Sequence, residues 1–148
     1  MIRSGLPDIA HASAEAKIRP PVYRPGLIPR VSLVDALTTI PDRASLISVT
    51  APAGYGKTTV LSQWAAQDPR GFAWVTVDEA DGDPVRLAGH VALAMHRIEP
   101  LHPEVFRALE AGGRSRHLVA LSHLLGSLWS WPQPGVLVLD DVHELRSL

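Results

Sequence analysis

Lys57, Thr58, Asp140 and Asp141 are the residues whose types and settings could do chemistry in this chain. The first two stand in Ala53-Gly54-Tyr55-Gly56-Lys57-Thr58-Thr59, where glycines lead into a lysine and two hydroxyls. Glycine reaches positive φ and carries no side chain, so such a loop can wrap its backbone closely round an anion. The amides from about Ala53 through Gly54, Tyr55 and Gly56 to Thr59 would then point at phosphates, helped by the positive end of the following helix. In that arrangement Lys57 neutralises the β- and γ-phosphates, the Thr58 hydroxyl ligates Mg²⁺, and Thr59 adds a contact to the α-phosphate. Asp140 and Asp141 close the apolar run Val136-Leu137-Val138-Leu139. A carboxylate at the carboxyl end of a parallel strand faces the crevice where open α/β sheets bind ligands. Asp140 would hold Mg²⁺, directly or through a water. Asp141 would orient or deprotonate an attacking water. Together these residues imply ATP with Mg²⁺, and catalytic roles for Asp141 and Lys57.

Each signal alone has a bland counterpart. The full phosphate-loop pattern asks for glycine at both ends, and its first position here is Ala51. An apolar run stopped by Asp-Asp is common. Their order and surroundings sharpen them. Leu46-Ile47-Ser48-Val49-Thr50 is a short apolar, partly β-branched run, expected to be a strand buried on both faces. After Lys57, the helical spacing of Val60, Leu61, Trp64 and Ala65 gives a face that can pack on a sheet. The loop is therefore expected on strand–loop–helix, the setting that confirms it.

Further elements follow from periodicity. Residues 1–26 lack it and collect Pro7, Pro20, Pro21 and Pro25, which predicts an extended, mobile tail. A short helix is expected over Ser32–Thr39, with Leu33, Val34 and Leu37 as its apolar face. Phe72–Val77 is aromatic and β-branched, as a buried strand should be. The acidic stretch Asp78–Pro84 misses the calcium-loop spacing, so Asp83 is expected to cap a helix with Pro84 in its first turn. That helix should reach about Ile98, burying Leu87, Val91, Ala94, Met95 and Ile98. Two more are expected at Pro103–Ala111 and Leu118–Trp131, separated by Gly112-Gly113.

These motifs and the segments between them resemble the ATPase portion of the MalT-like regulators, the large ATP-binding members of the LuxR family within the STAND class. The resemblance is carried by Leu27-Ile28-Pro29-Arg30, Val49-Thr50-Ala51-Pro52-Ala53-Gly54-Tyr55-Gly56-Lys57-Thr58-Thr59, Leu61 with Gln63-Trp64, Ala73-Trp74, Asp78–Pro84 and Val138-Leu139-Asp140-Asp141-Val142-His143. It runs from about Leu27 to Leu148, and within this group Ala51 is no defect. It implies an α/β fold: a three-layer P-loop NTPase of ASCE/STAND type, with a parallel sheet, flanking helices and an incomplete C-terminus. Residues 27–148 would be a partial domain from Walker A to Walker B. The implied function is a nucleotide switch that binds ATP or ADP, hydrolyses ATP slowly and self-associates in its ATP state. Arg30, before the first helix of that portion, would lie near the adenine or be a plain surface arginine. Members of the family carry inducer-sensing repeats and a DNA-reading helix pair; neither is recognisable here, so direct nucleic-acid binding is not transferred. In this class a later strand separates the Walker B strand from the loop strand. The chain is therefore expected to be a fragment, and a steep cooperative urea transition of a monomer would count against that.

Composition narrows the alternatives. In 148 residues, Lys and Arg total 14 against 15 Asp and Glu, a net charge of −1 that favours neither nucleic acid nor an anionic membrane. The chain has no cysteine, which removes disulfides and thiolate metal sites and suits a cytoplasmic protein. The stretch Leu118–Trp131 is too short and too interrupted by serines and His123 to span a bilayer. Seven histidines show no clustered ligand spacing. His143 follows the aspartate pair and could sit near a γ-phosphate or simply on the surface. Other readings are a small P-loop kinase or other phosphoryl-transfer enzyme, with Gly112-Gly113-Arg114-Ser115-Arg116 as a basic lid, or an inactive gene remnant.

Overall fold

The computed structural model describes residues 11–22, 26–41, 46–113 and 115–145. The expectations for residues 1–10, for Pro25 and for Arg114 lie outside those residues. Two strands, β1 (Gly71–Thr76) and β2 (Gly135–Asp140), pair in parallel, with Phe72 opposite Val136 and Thr76 opposite Asp140. Six helices accompany them among the described residues: α1 (His11–Lys17), α2 (Val31–Thr38), α3 (Lys57–Gln67), α4 (Pro84–His96), α5 (Glu104–Glu110) and α6 (Arg116–Trp129). The fold is mixed α/β, and α4, α5 and α6 form the crossover that a parallel strand pair requires.

Strand periodicity divides the core. Ala73, Val75 and Val77 meet one cluster with Ala92, Ala94 and Met95 of α4, Val105 of α5 and Leu124 of α6. Phe72 and Val136 join a second cluster, in which Val34 and Leu37 of α2 meet Val60 and Trp64 of α3. Alternate side chains of a strand point to opposite faces, so β1 serves both clusters. Leu87, Val91 and Ile98 pack against the first cluster, as the stripe expected for α4 requires. Asp83 caps α4, its carboxylate accepting the Val85 N–H at 3.0 Å.

Three expectations are corrected. Leu46–Thr50 is not a strand and is not buried: Leu46 is 86% exposed and the run joins no ladder. β1 and β2 pair with each other and each keeps one unpaired edge, but the run engages neither, so nothing buries it. Leu33 of α2 is 54% exposed, while Val34 and Leu37 alone carry its buried face. Within the stretch expected to be an extended tail, residues 11–17 form α1, which buries Ala14, and Ile18 just after it joins the larger core.

Charge fastens α1 down as well. The Lys17 ammonium lies 2.6 Å from the Asp81 carboxylate and 2.7 Å from that of Asp78. Asp81 sits in the 3-10 turn Glu79–Gly82 and is completely buried, with His90 Nδ1 at 2.8 Å and the Asp78 N–H donating at 3.0 Å. Burial pushes the Asp81 carboxyl up, but the hydrogen bonds from Lys17 and Asp78, with His90 beside it, outweigh that and hold it below its ordinary value.

Candidate functional site

The loop from Ala51 to Gly56 leads into α3, and two of its glycines are bent as the sequence requires. Gly54 and Gly56 both have φ of +80°, and Gly56 is the N-cap of α3. Space is not what demands glycine at position 54, since a Cβ there would meet nothing within 4 Å; the backbone conformation demands it. The Tyr55 N–H donates to the Pro52 carbonyl at 3.3 Å and closes the turn. Tyr55 itself is 68% exposed. Thr58 and Thr59 occupy the first turn of α3, and the α3 ladder opens with the Val60 N–H on the Gly56 carbonyl at 2.9 Å.

Lys57 does not reach into solvent. Its ammonium folds back over the loop and donates to the carbonyls of Ala51 at 2.8 Å and Pro52 at 3.3 Å. Both acceptors are neutral, so its charge remains uncompensated and within reach of an anion seated on the loop.

Tertiary folding joins the loop to the strand-end carboxylates. The Thr58 hydroxyl donates to Asp140 Oδ2 at 2.8 Å, across 82 positions of sequence. Asp140 is only 5% exposed at the end of β2, and its other oxygen accepts the Asp141 N–H at 3.1 Å. Its carbonyl accepts the Val77 N–H at 2.9 Å, which ties β2 to the residue just after β1. Thr58 and Asp140 thus present two hard oxygens side by side, the donor chemistry Mg²⁺ prefers.

Asp141 is held differently. Its backbone has φ 59° and ψ 32°, the only positive φ at a non-glycine residue among those described. A side-chain-bearing residue in the left-handed region costs about 1 kcal/mol or more and persists only where its surroundings fix it. The chain turns there from β2 into the 3-10 turn Val142–Glu144. His143, exposed, places Nε2 3.2 Å from Glu144 Oε1 and Nδ1 3.9 Å from Asp141 Oδ1. Of the basic stretch considered as a lid, Arg116 donates to the Ala111 carbonyl at 3.4 Å.

Two polar groups of α3 and its C-cap escaped the sequence reading as functional residues. Gln63 of α3 is 2% exposed, with its amide bonded to the main chain of Ile28 and Arg30. Its signal was available: it falls between Val60 and Trp64 on the inward stripe of α3, where a polar residue must find partners. The second group is Asp68, which follows α3. It accepts the Trp64 indole N–H at 2.8 Å and holds Arg70 at 2.6 Å. The hydrogen bond from Arg70 outweighs burial and lowers the Asp68 carboxyl to about 2.

Loop, helix and carboxylate define the class: a mixed α/β chain in which a glycine-bent loop opens a helix against an acidic strand end. No protein-family model and no solved structure matches the chain. Individual relatives do. The HTH-type transcriptional regulator MalT of Cronobacter sakazakii is 37% identical over 106 residues, covering 69% of this chain and 11% of that regulator. MalT of Klebsiella pneumoniae is 36% identical over the same length. MalT of Yersinia enterocolitica is 34% identical over 134 residues, 89% of this chain and 14% of that protein. Over its matched part the chain is MalT-like, homologous to these regulators, and it spans only 11–14% of their length.

Proposed function

We propose that the chain is the ATP-binding, slowly hydrolysing switch portion of a MalT-like transcriptional regulator, working in the cytoplasm. The observation that carries this reading is the 2.8 Å bond from Thr58 to Asp140. It unites a Gly-Lys-Thr helix start with a buried strand-end carboxylate, the pairing a Mg²⁺·triphosphate site needs. Under this reading the described α/β elements are part of a P-loop NTPase domain of ASCE/STAND type. Relatedness to HTH-type transcriptional regulators favours a switch over a metabolic phosphoryl transferase.

Bound Mg²⁺ would neutralise phosphate oxygens and polarise the terminal phosphoryl group. The chain's own residues would do the rest. Amides from Ala53 to Thr59 hold the phosphate chain, and Lys57 exchanges its two carbonyl partners for phosphate oxygens. Thr58 and Asp140, whose oxygens lie side by side, would hold the metal. Asp141, fixed in its unusual backbone conformation, orients the attacking water or takes its proton. ATP and ADP are the proposed ligands, and self-association in the ATP state is the proposed output. No helix among the described residues is long and apolar enough to cross a membrane.

Titration of the chain with ATP and Mg²⁺ tests the proposal. Micromolar binding is expected, and Lys57→Ala should weaken it at least a hundredfold, the loss of a charge-assisted phosphate contact of about 3 kcal/mol. Equal affinity in the variant would show that the loop does not hold phosphate.

A further inference from the structure

We infer that Gln63 is a positioning residue that keeps Arg30 beside the loop, where the guanidinium supplies a second cation to the phosphate chain; this rests on the nucleotide reading above. The buried amide of Gln63 spends both its ends on main chain. Oε1 accepts the Arg30 N–H at 2.8 Å, and Nε2 donates to the Ile28 carbonyl at 3.2 Å. Two bonds of opposite polarity, to residues two apart, fix the register of this extended segment against α3. The Arg30 carbonyl in turn accepts the N–H groups of Leu33 and Val34, each at 3.0 Å, so α2 starts where Gln63 pins it.

From that anchor the Arg30 side chain runs to the loop. A Cβ placed on Gly56 would stand 4.0 Å from Arg30 Nη2. Gly56 directly precedes Lys57, so two cations flank the same loop turn from separate segments. No hydrogen bond or ion pair engages the Arg30 guanidinium among the described residues. An uncompensated, forked donor beside a glycine-bent anion loop suits the oxygens of a phosphate chain, which guanidinium binds with bidentate geometry. Gln63 acts only through the backbone of Ile28 and Arg30. Its role is therefore to place that fork and not to touch the ligand.

The test titrates ATP and inorganic tripolyphosphate, each with Mg²⁺, into the wild-type chain, Arg30→Ala, Arg30→Lys, Gln63→Leu and the Arg30→Ala/Gln63→Leu double variant. Arg30→Ala should weaken both ligands about tenfold, the usual size of one charge-assisted contact, with an unchanged melting temperature. Arg30→Lys should recover part of that loss. Gln63→Leu should show a similar loss, and the double variant should bind no worse than Arg30→Ala alone. If Gln63→Leu does not fold, Gln63→Glu, which keeps the acceptor for the Arg30 N–H, should retain more affinity than Arg30→Ala. A fall in ATP affinity with tripolyphosphate untouched would assign Arg30 to the base and overturn the inference. Additive losses in the double variant would overturn the link between the two residues. A wild-type chain that binds neither ligand would overturn the nucleotide reading itself; a wild type that binds both, with Arg30→Ala unaffected, would overturn only the role of Arg30.

Discussion

Asp140 and Asp141 are adjacent and chemically identical, yet the structure gives them opposite settings. Asp140 is buried and bonded to the Thr58 hydroxyl and the Asp141 amide, while Asp141 is half-buried in a left-handed backbone. Asparagine tolerates that backbone, so Asp141→Asn removes charge without moving the chain. ATP affinity should persist in this variant while single-turnover hydrolysis falls on the order of a hundredfold, as for loss of a general base. Asp140→Asn can still accept from Thr58 but lacks the charge for a divalent cation, so Mg²⁺-dependent ATP affinity should drop instead. Single-turnover rates and titrations with and without Mg²⁺ would check the pair; intact hydrolysis in both variants would refute the division of roles. The identity of these residues was legible in the sequence. Thr58 and Asp140 were expected on one Mg²⁺, but their direct bond across 82 positions, between α3 and β2, belongs to the assembled fold and not to local propensity.

At the scale of elements, α1 shows what composition conceals. Prolines and weak periodicity argued for an extended tail, but Ala14 and Ile18 are buried and Lys17 closes on Asp81, a partner 64 positions away. Replacing Lys17 with methionine would leave a wholly buried carboxylate with His90 and with Arg86 at 3.7 Å. Removing one partner of a buried ion pair typically costs about 3 kcal/mol, so urea unfolding should show a loss near that size. Asp81→Asn should suppress the effect of Lys17→Met, since the stranded charge is then absent. A Lys17→Met midpoint equal to the wild type would mean that α1 is not fastened through this pair. The opposite error was made at Leu46–Thr50, where a β-branched, apolar run argued for a buried strand. Apolar character makes a strand only where the run docks on a sheet edge, and this run docks on neither free edge of the β1–β2 pair.

For the molecule as a whole, two buried carboxylates set the response to acid. Asp68 is lowered from 3.8 to about 2 by its hydrogen bond to Arg70, and Asp81 lies below its ordinary value although burial opposes the shift. A carboxylate whose folded pKa is depressed adds stability that is complete above its unfolded value and disappears as pH falls through the folded one. Stability should therefore be level above about pH 5 and decline from about pH 4 toward pH 2. Asp68 alone accounts for about 2 kcal/mol of that decline. Urea midpoints at pH 6, 4 and 2.5 would measure it, and Asp68→Asn should flatten the slope. A wild-type midpoint that does not move across this range would refute the assignment. The Asp81 pair joins one acid of the stretch Asp78–Pro84 to a lysine expected in an extended tail, and its burial arises only when α1 packs there.

The sequence by itself determined the glycine-bent loop, the helix that follows it, the two strand segments and the Asp83 cap, because each depends on residues within a few positions of one another. Glycine supplies its φ, proline and aspartate start α4, and continuous apolar runs mark β1 and β2. Only the tertiary structure decided that Thr58 meets Asp140, that Gln63 anchors Arg30, that Lys17 neutralises Asp81, and that the run before the loop stays unpaired. Those outcomes turn on which distant groups share a buried volume, and burial is a property of the assembled chain.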